Sequence, residues 1–147
     1  MKILIDADGC PVVKLTCQEA EKHNVECKII CDTSHEFYIN GIETITVSKG
    51  KDSVDFKLVN MIEKNDIVVT QDYGLAAMCL AKGAKVINQN GVIYDEDNIM
   101  SMLNSRHISM KLRNSGIRQK GPEKRDIRYN DIFIKNLKFL IEIKNKI

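Results

Sequence analysis

Apolar residues gather in short uninterrupted runs: Ile3-Leu4-Ile5, Ile29-Ile30-Cys31, Ile67-Val68-Val69 and Val86-Ile87. Runs this short, rich in β-branched residues, predict strands buried on both faces, as in a parallel sheet. Strands are therefore expected over 2–5, 25–31, 67–70 and 85–88, and a looser alternation over 42–47 predicts one more. Between them the apolar period lengthens. Val13, Thr16, Cys17 and Ala20 share one face of a helix expected over 12–24, with Pro11 suited to its first position. A second helix is expected over 52–64, its faces marked by Phe56, Val59 and either Ile62 or Glu63. A third, over 73–82, is stopped by Gly83.

Strand alternating with helix over 1–90 predicts an α/β fold of three layers, α/β/α, around a mostly parallel sheet of about five strands. Asn90-Gly91 is a strong turn signal. Beyond it the pattern becomes helical over 97–116, where Ile99, Leu103 and Met110 form a stripe that also carries Arg106 and Arg113. A basic connector, 119–125, leads to a last helix over 126–144 that buries Phe133, Leu137, Leu140 and Ile141. One domain over 1–147 is expected, an α/β core over 1–96 followed by basic C-terminal helices over 97–147.

Charge changes this picture, because the net +2 hides an asymmetry. Residues 1–100 carry 10 Lys/Arg against 16 Asp/Glu, whereas residues 101–147 carry 12 against 4. An acidic body beside a basic C-terminal third suits a cation site next to an anion-binding surface. The alternative is two complementary faces that pack together. The five cysteines form no CxxC, and four of them sit among apolar residues, which reads as reduced core thiols of a cytoplasmic protein. The three histidines show no zinc-type spacing. No signal peptide is legible and no apolar run reaches membrane-spanning length, so no membrane partner is expected.

The acids carry the chemistry. Asp6 and Asp8 follow the first strand, Asp52 and Asp55 open the second helix, and Asp72 follows the strand at 67–70. In a parallel sheet all of these belong to the C-terminal edge, where open α/β sheets place their ligands. Asp66 precedes its strand and belongs to the opposite edge. Crowded carboxylates repel unless a cation compensates. Oxygen ligands without His or Cys suit Mg²⁺ or Mn²⁺, ions that activate water in phosphodiester hydrolysis. Taken singly, each acid also fits an ordinary helix cap or turn, Asp72 and Asp52 above all. The recurrence at three strand ends is what favours a site.

The order Asp6-Ala-Asp8-Gly-Cys10-Pro11, Gly50-Lys-Asp52-Ser-Val-Asp55, Thr70-Gln-Asp72-Tyr-Gly-Leu-Ala76, Ser115-Gly-Ile117 and Gly121-Pro122 resembles the YaiI/YqxD family of uncharacterised bacterial proteins, nearly end to end. That family is in turn similar to PIN and NYN-type domains, and the resemblance implies a metal-dependent ribonuclease. It implies that Asp6, Asp55 and Asp72 bind the metal, with Asp8 and Asp52 completing the site. Gly9 stands where alanine is usual, and Tyr73-Gly74 replaces an Ile-Pro type pair.

Arg106, Arg113, Arg118, Lys120, Lys124 and Arg125 are the candidates for contact with nucleic acid, RNA first. What favours Arg106 and Arg113 is their place on an otherwise apolar stripe. Two other readings compete. One is a non-catalytic nucleic-acid-binding regulatory module. The other is a haloacid-dehalogenase-type phosphatase, suggested by Asp6-Ala-Asp8-Gly9 but lacking a well-placed lysine. Lys49-Gly50-Lys51 is no Walker loop, since Asp52 follows where Ser or Thr should bind magnesium. Cys10 opens a helix near the acids, which raises the question of its reactivity.

Overall fold

A computed structural model describes residues 1–32, 37–50, 52–116 and 124–143. The elements run β1 (Lys2–Asp6), α1 (Val13–Lys22), β2 (Glu26–Asp32), β3 (Glu43–Val47), α2 (Ser53–Met61), β4 (Ile67–Val69), α3 (Tyr73–Ala81), β5 (Lys85–Ile87), β6 (Ile93–Tyr94), α4 (Glu96–Asn114) and α5 (Tyr129–Ile143). The strands make one sheet in the order β3-β2-β1-β4-β5-β6. The first five pair in parallel, with Ile5 opposite Ile29 of β2 and Val69 of β4. From β1 the chain winds outward through β2 and β3, then returns to lay β4 and β5 on the other side. The β1–β4 seam is therefore the switch point, and a crevice opens there beyond the strand ends.

Both faces of the sheet are covered, which is why its strands read as unbroken apolar runs. Ile3, Ile5, Ile29, Val69 and Ile87 pack on one side against Val13 and Cys17 of α1 and Phe133, Leu137 and Ile141 of α5. Leu4, Ile30, Val68 and Val86 pack on the other against Leu58 of α2, Leu75 and Cys79 of α3 and Ile99 of α4. Each fully buried side chain of this kind contributes roughly 1.5–3 kcal/mol.

The expected α/β architecture is present, with differences at its margins. The sheet has a sixth strand: β6 turns back antiparallel on β5 after the Asn88–Gly91 turn, and two residues are too few to show a period. Helix α1 starts at Val13, leaving Pro11 in the preceding turn, and the Val12 carbonyl takes both the Thr16 N–H and its hydroxyl. Helix α2 stops at Met61 because Ile62 is extended. Ile62 and Leu58 are buried, but Phe56 points outward, 63% exposed. In α4 the apolar stripe holds only at the start. Ile99 is buried and Leu103 half-buried, while Met110 is 50% exposed and Arg113 is exposed, so the far end of this stripe is a solvent face.

Gly91 fixes where α5 docks. Its φ is +88°, and a Cβ there would stand 2.9 Å from the backbone of Ile132. Only glycine lets the turn approach this closely. Asn136 seals the contact by donating to the Gly91 carbonyl at 2.6 Å.

Candidate functional site

The strand ends deliver acids to the crevice as their order in the chain requires. Asp6 is the last residue of β1, Asp32 the last of β2, and Asp72 stands just beyond β4 as the N-cap of α3. Asp52 precedes the first turn of α2 and Asp55 lies within it. Asp6, Asp8, Asp32, Asp52, Asp55 and Asp72 line one cleft of about 680 Å³. All five acids expected from the sequence thus come together.

Each acid is held differently. The Thr70 hydroxyl donates to Asp6 Oδ2 at 2.7 Å, fixing the central carboxylate to the strand across the seam. Asp8 Oδ2 accepts from the Asp32 N–H at 3.1 Å, tying the loop after β1 to the end of β2. Asp72 is a true cap: its Oδ1 accepts from the N–H groups of Gly74 and Leu75 at 2.8 and 3.1 Å. Gly74 leaves room for this, since a Cβ there would lie 3.3 Å from that oxygen. Asp52 does not cap α2. Its backbone is left-handed, φ +62°, and its side chain makes no cap hydrogen bond. A non-glycine residue held there is uncommon and marks a local constraint.

The acids feel one another. Burial pushes the Asp6 carboxyl up to about 6 against the Thr70 hydrogen bond, and the charges of Asp72 and Asp8 add to the rise. Burial, followed by the charges of Asp72, Asp6 and Asp52, raises Asp55 to about 6 as well. This crowding favours neutralisation by a proton or by a cation. The donors are hard oxygens, and their chemistry fits Mg²⁺ or Mn²⁺. Among the described residues, however, no three His, Cys, Asp or Glu side chains are already arranged to hold an ion.

Asp66 lies at the far edge, as its position before β4 requires. It accepts from the Lys2 N–H at 3.1 Å, from Lys2 Nζ at 2.7 Å and from the Glu63 N–H at 2.7 Å. Lys85 opens β5 at that same edge, its N–H donating to the Asp66 carbonyl, so it stands across the sheet from Asp6. A phosphatase reading, which needs a lysine beside the first aspartate, finds no support in that placement.

Asp32 was not among the expected acids because it begins a polar stretch that reads as a loop. Its signal was present: it follows Ile29-Ile30-Cys31 as Asp6 follows Ile3-Leu4-Ile5. Cys10 is half-buried, and burial raises its thiol to about 11, so it is protonated at neutral pH and unsuited to nucleophilic attack.

A second cleft adjoins the acidic one. It is lined by Lys124, Arg125, Arg128 and Tyr129, and it shares Gly9 and Gln71 with the acidic cleft. Arg125 also works as a staple. Its Nε, Nη1 and Nη2 donate to Asn90 Oδ1, Asn130 Oδ1 and the Gln89 carbonyl at 3.0, 2.6 and 2.8 Å. Lys124 is exposed. Arg113 sits in the last turn of α4, where a cation complements the helix dipole, so its position on the stripe no longer argues for a ligand. The Arg106 side chain, Arg118 and Lys120 lie outside the described residues. Another hollow of about 680 Å³, between α1 and the 38–43 segment, mixes Lys14, Lys28, Glu21, Glu26 and Glu43 and gathers no single chemistry.

Fold and cleft define an α/β protein with a carboxylate-lined crevice at its switch point. The chain belongs to the YaiI/YqxD family of uncharacterised bacterial proteins, whose profile matches residues 4–143. It is 48% identical over 142 residues to a UPF0178 protein of Ruminiclostridium cellulolyticum, covering 97% of this chain and 93% of that one. A UPF0178 protein of Exiguobacterium sibiricum is 50% identical over 125 residues, 85% of each chain. Among solved structures, Rae1 (YacP) from Bacillus subtilis, a W164L mutant, aligns over 92% of both chains at 14% identity with a TM-score of 0.45. No helix among the described residues is long and apolar enough to cross a membrane.

Proposed function

We propose that this protein is a PIN-like, Mg²⁺- or Mn²⁺-dependent phosphodiesterase of the cytoplasm that cleaves nucleic acid, RNA first. The observation that carries the reading is one cleft at the β1–β4 seam lined by Asp6, Asp8, Asp52, Asp55 and Asp72, two of them raised toward neutrality by burial and by their neighbours. Asp6, Asp55 and Asp72 would hold the ion, which when bound polarises the phosphate and activates water. Thr70 keeps Asp6 aimed by its hydrogen bond, and the cap on α3 does the same for Asp72. Asp8 and Asp52 complete the wall, and the adjoining basic cleft offers charge to the phosphates on either side. The resemblance to PIN and NYN-type domains supports the reading, and five free cysteines accord with a reducing compartment.

The test is a panel of RNA and DNA oligonucleotides and phosphomonoesters, each run with Mg²⁺, Mn²⁺ or chelator. Oligonucleotide cleavage that needs the metal and falls at least ~100-fold in Asp6→Asn and Asp55→Asn is the expected result. A second reading, a nucleic-acid-binding regulatory module without turnover, has one observation in its favour: among the described residues, no three acids stand ready around an ion. It predicts salt-dependent RNA binding that survives Asp6→Asn, with no cleavage under any metal.

A further inference from the structure

The basic cleft holds more than charge. About 860 Å³ in volume, it is within the range that encloses a single organic ligand. Among the described residues, three cations line it against one acid, Asp126. That acid is taken by Arg128, whose Nη2 and Nε reach Asp126 Oδ2 at 2.6 and 2.9 Å on a side chain 87% exposed. Such a surface pair is weak and gives way readily to another anion. Arg125 differs: its three hydrogen bonds go to neutral oxygens, and among the described residues no carboxylate pairs with it. Its guanidinium is held rigid, retains its charge, and keeps N–H donors to spare beyond those the three bonds use.

A further feature belongs to a ligand rather than to a merely solvated surface. Tyr129, 41% exposed, stands beside the arginines at the start of α5 in the wall of the cleft. A fixed cation and an exposed aromatic side chain are what a phosphate and an unstacked base each require.

We infer that this second cleft is a nucleotide subsite: it takes a nucleotide beside the phosphodiester held in the acidic cleft, its phosphate on Arg125 and its base against Tyr129. The strand would cross from one cleft to the other over Gly9 and Gln71, the residues the two clefts share. The inference rests on the nucleic-acid reading above and adds a site to it. A base can reach Tyr129 only if it is unpaired, so the subsite takes a single strand.

The experiment is binding of labelled oligonucleotides, about a dozen nucleotides long, to the full chain in chelator, followed by fluorescence anisotropy. Single-stranded RNA, single-stranded DNA and the corresponding duplexes are compared. Tyr129→Ala should weaken single-strand binding roughly 5- to 150-fold, the loss of one base stack, while Tyr129→Phe keeps it within about twofold. Lys124→Gln should lower the salt dependence by about one counterion. Because Arg125 also anchors α5, the Tyr129 pair of variants is the deciding comparison. Duplex bound as tightly as single strand, Tyr129→Ala binding like the parent chain, or no binding at all would overturn the subsite. Metal-dependent cleavage unchanged by Tyr129→Ala would overturn the subsite and leave the nuclease standing. Tyr129-dependent binding without cleavage would do the reverse.

Discussion

The side-chain amide of Gln71 donates to the Gly9 carbonyl at 2.8 Å, joining the loop after β4 to the loop after β1. These two residues are the common wall of an acidic and a basic cleft. Gly9 has φ +73°, with nothing within 4 Å of where a Cβ would be, so the loop shape there is a matter of backbone conformation rather than of crowding.

Removing that amide should separate function from stability. The hydrogen bond is exposed, so Gln71→Ala is expected to shift the melting temperature by no more than about 1–2 °C. Binding of single strands should weaken several-fold, because the wall between the clefts is no longer fixed. Calorimetry beside anisotropy checks both. A fall beyond about 5 °C would make the contact a structural brace instead.

Asp6 should make the metal-free protein less stable as the solution becomes less acidic. A carboxyl raised on folding is a proton the native state holds more tightly than the unfolded chain does. That stabilisation is complete below about 3.8 and disappears as pH climbs through about 6. Asn in place of Asp6 still accepts from Thr70 but has no charge to bury. Asp6→Asn should therefore be more stable than the parent at about pH 7.5 in chelator, by on the order of 1–3 kcal/mol, and equal to it near pH 4. Urea titrations at the two pH values decide this, and a less stable Asp6→Asn under the alkaline condition counts against the electrostatic account.

Asp66 should behave in the opposite sense. Burial pushes its carboxyl up, but the hydrogen bonds from Lys2 and Glu63 and the Lys2 charge outweigh it and hold it below the usual carboxylate range. Its contribution is present at neutral pH and is lost as pH falls through that lowered value. Asp66→Ala strands the Lys2 and Glu63 N–H groups and should destabilise the fold by about 2–4 kcal/mol at neutral pH. Metal affinity, followed by Mn²⁺ titration at a temperature where the variant is folded, should not change.

Gly91→Ala should move α5. The added Cβ meets Ile132 at 2.9 Å in a left-handed backbone, so a loss of at least about 2 kcal/mol is expected. Hydrogen exchange should rise over 129–143 and stay unchanged in β1 and β4. Uniform loosening of the whole sheet would show instead that α5 and the sheet unfold as one unit.

The sequence by itself determined the layers, the parallel strands and the edge at which the acids gather, because unbroken apolar runs and turn-side acids are local signals. It placed Asp66 at the opposite edge for the same reason. It did not reach β6, two residues long, or the outward turn of Phe56 and Met110, since periodicity does not say which face finds a partner. Asp32 carries the same local signal as Asp6, but the pairing of β2 with β1 is what sets it in the cleft, and Asp72 proved to be both cap and cleft wall. The basic cleft was wholly a tertiary matter. Gly9, Gln71, Gln89 and Tyr129 lie far apart along the chain, and they meet because the strand order turns at β1–β4 and because Gly91 lets α5 close on the sheet.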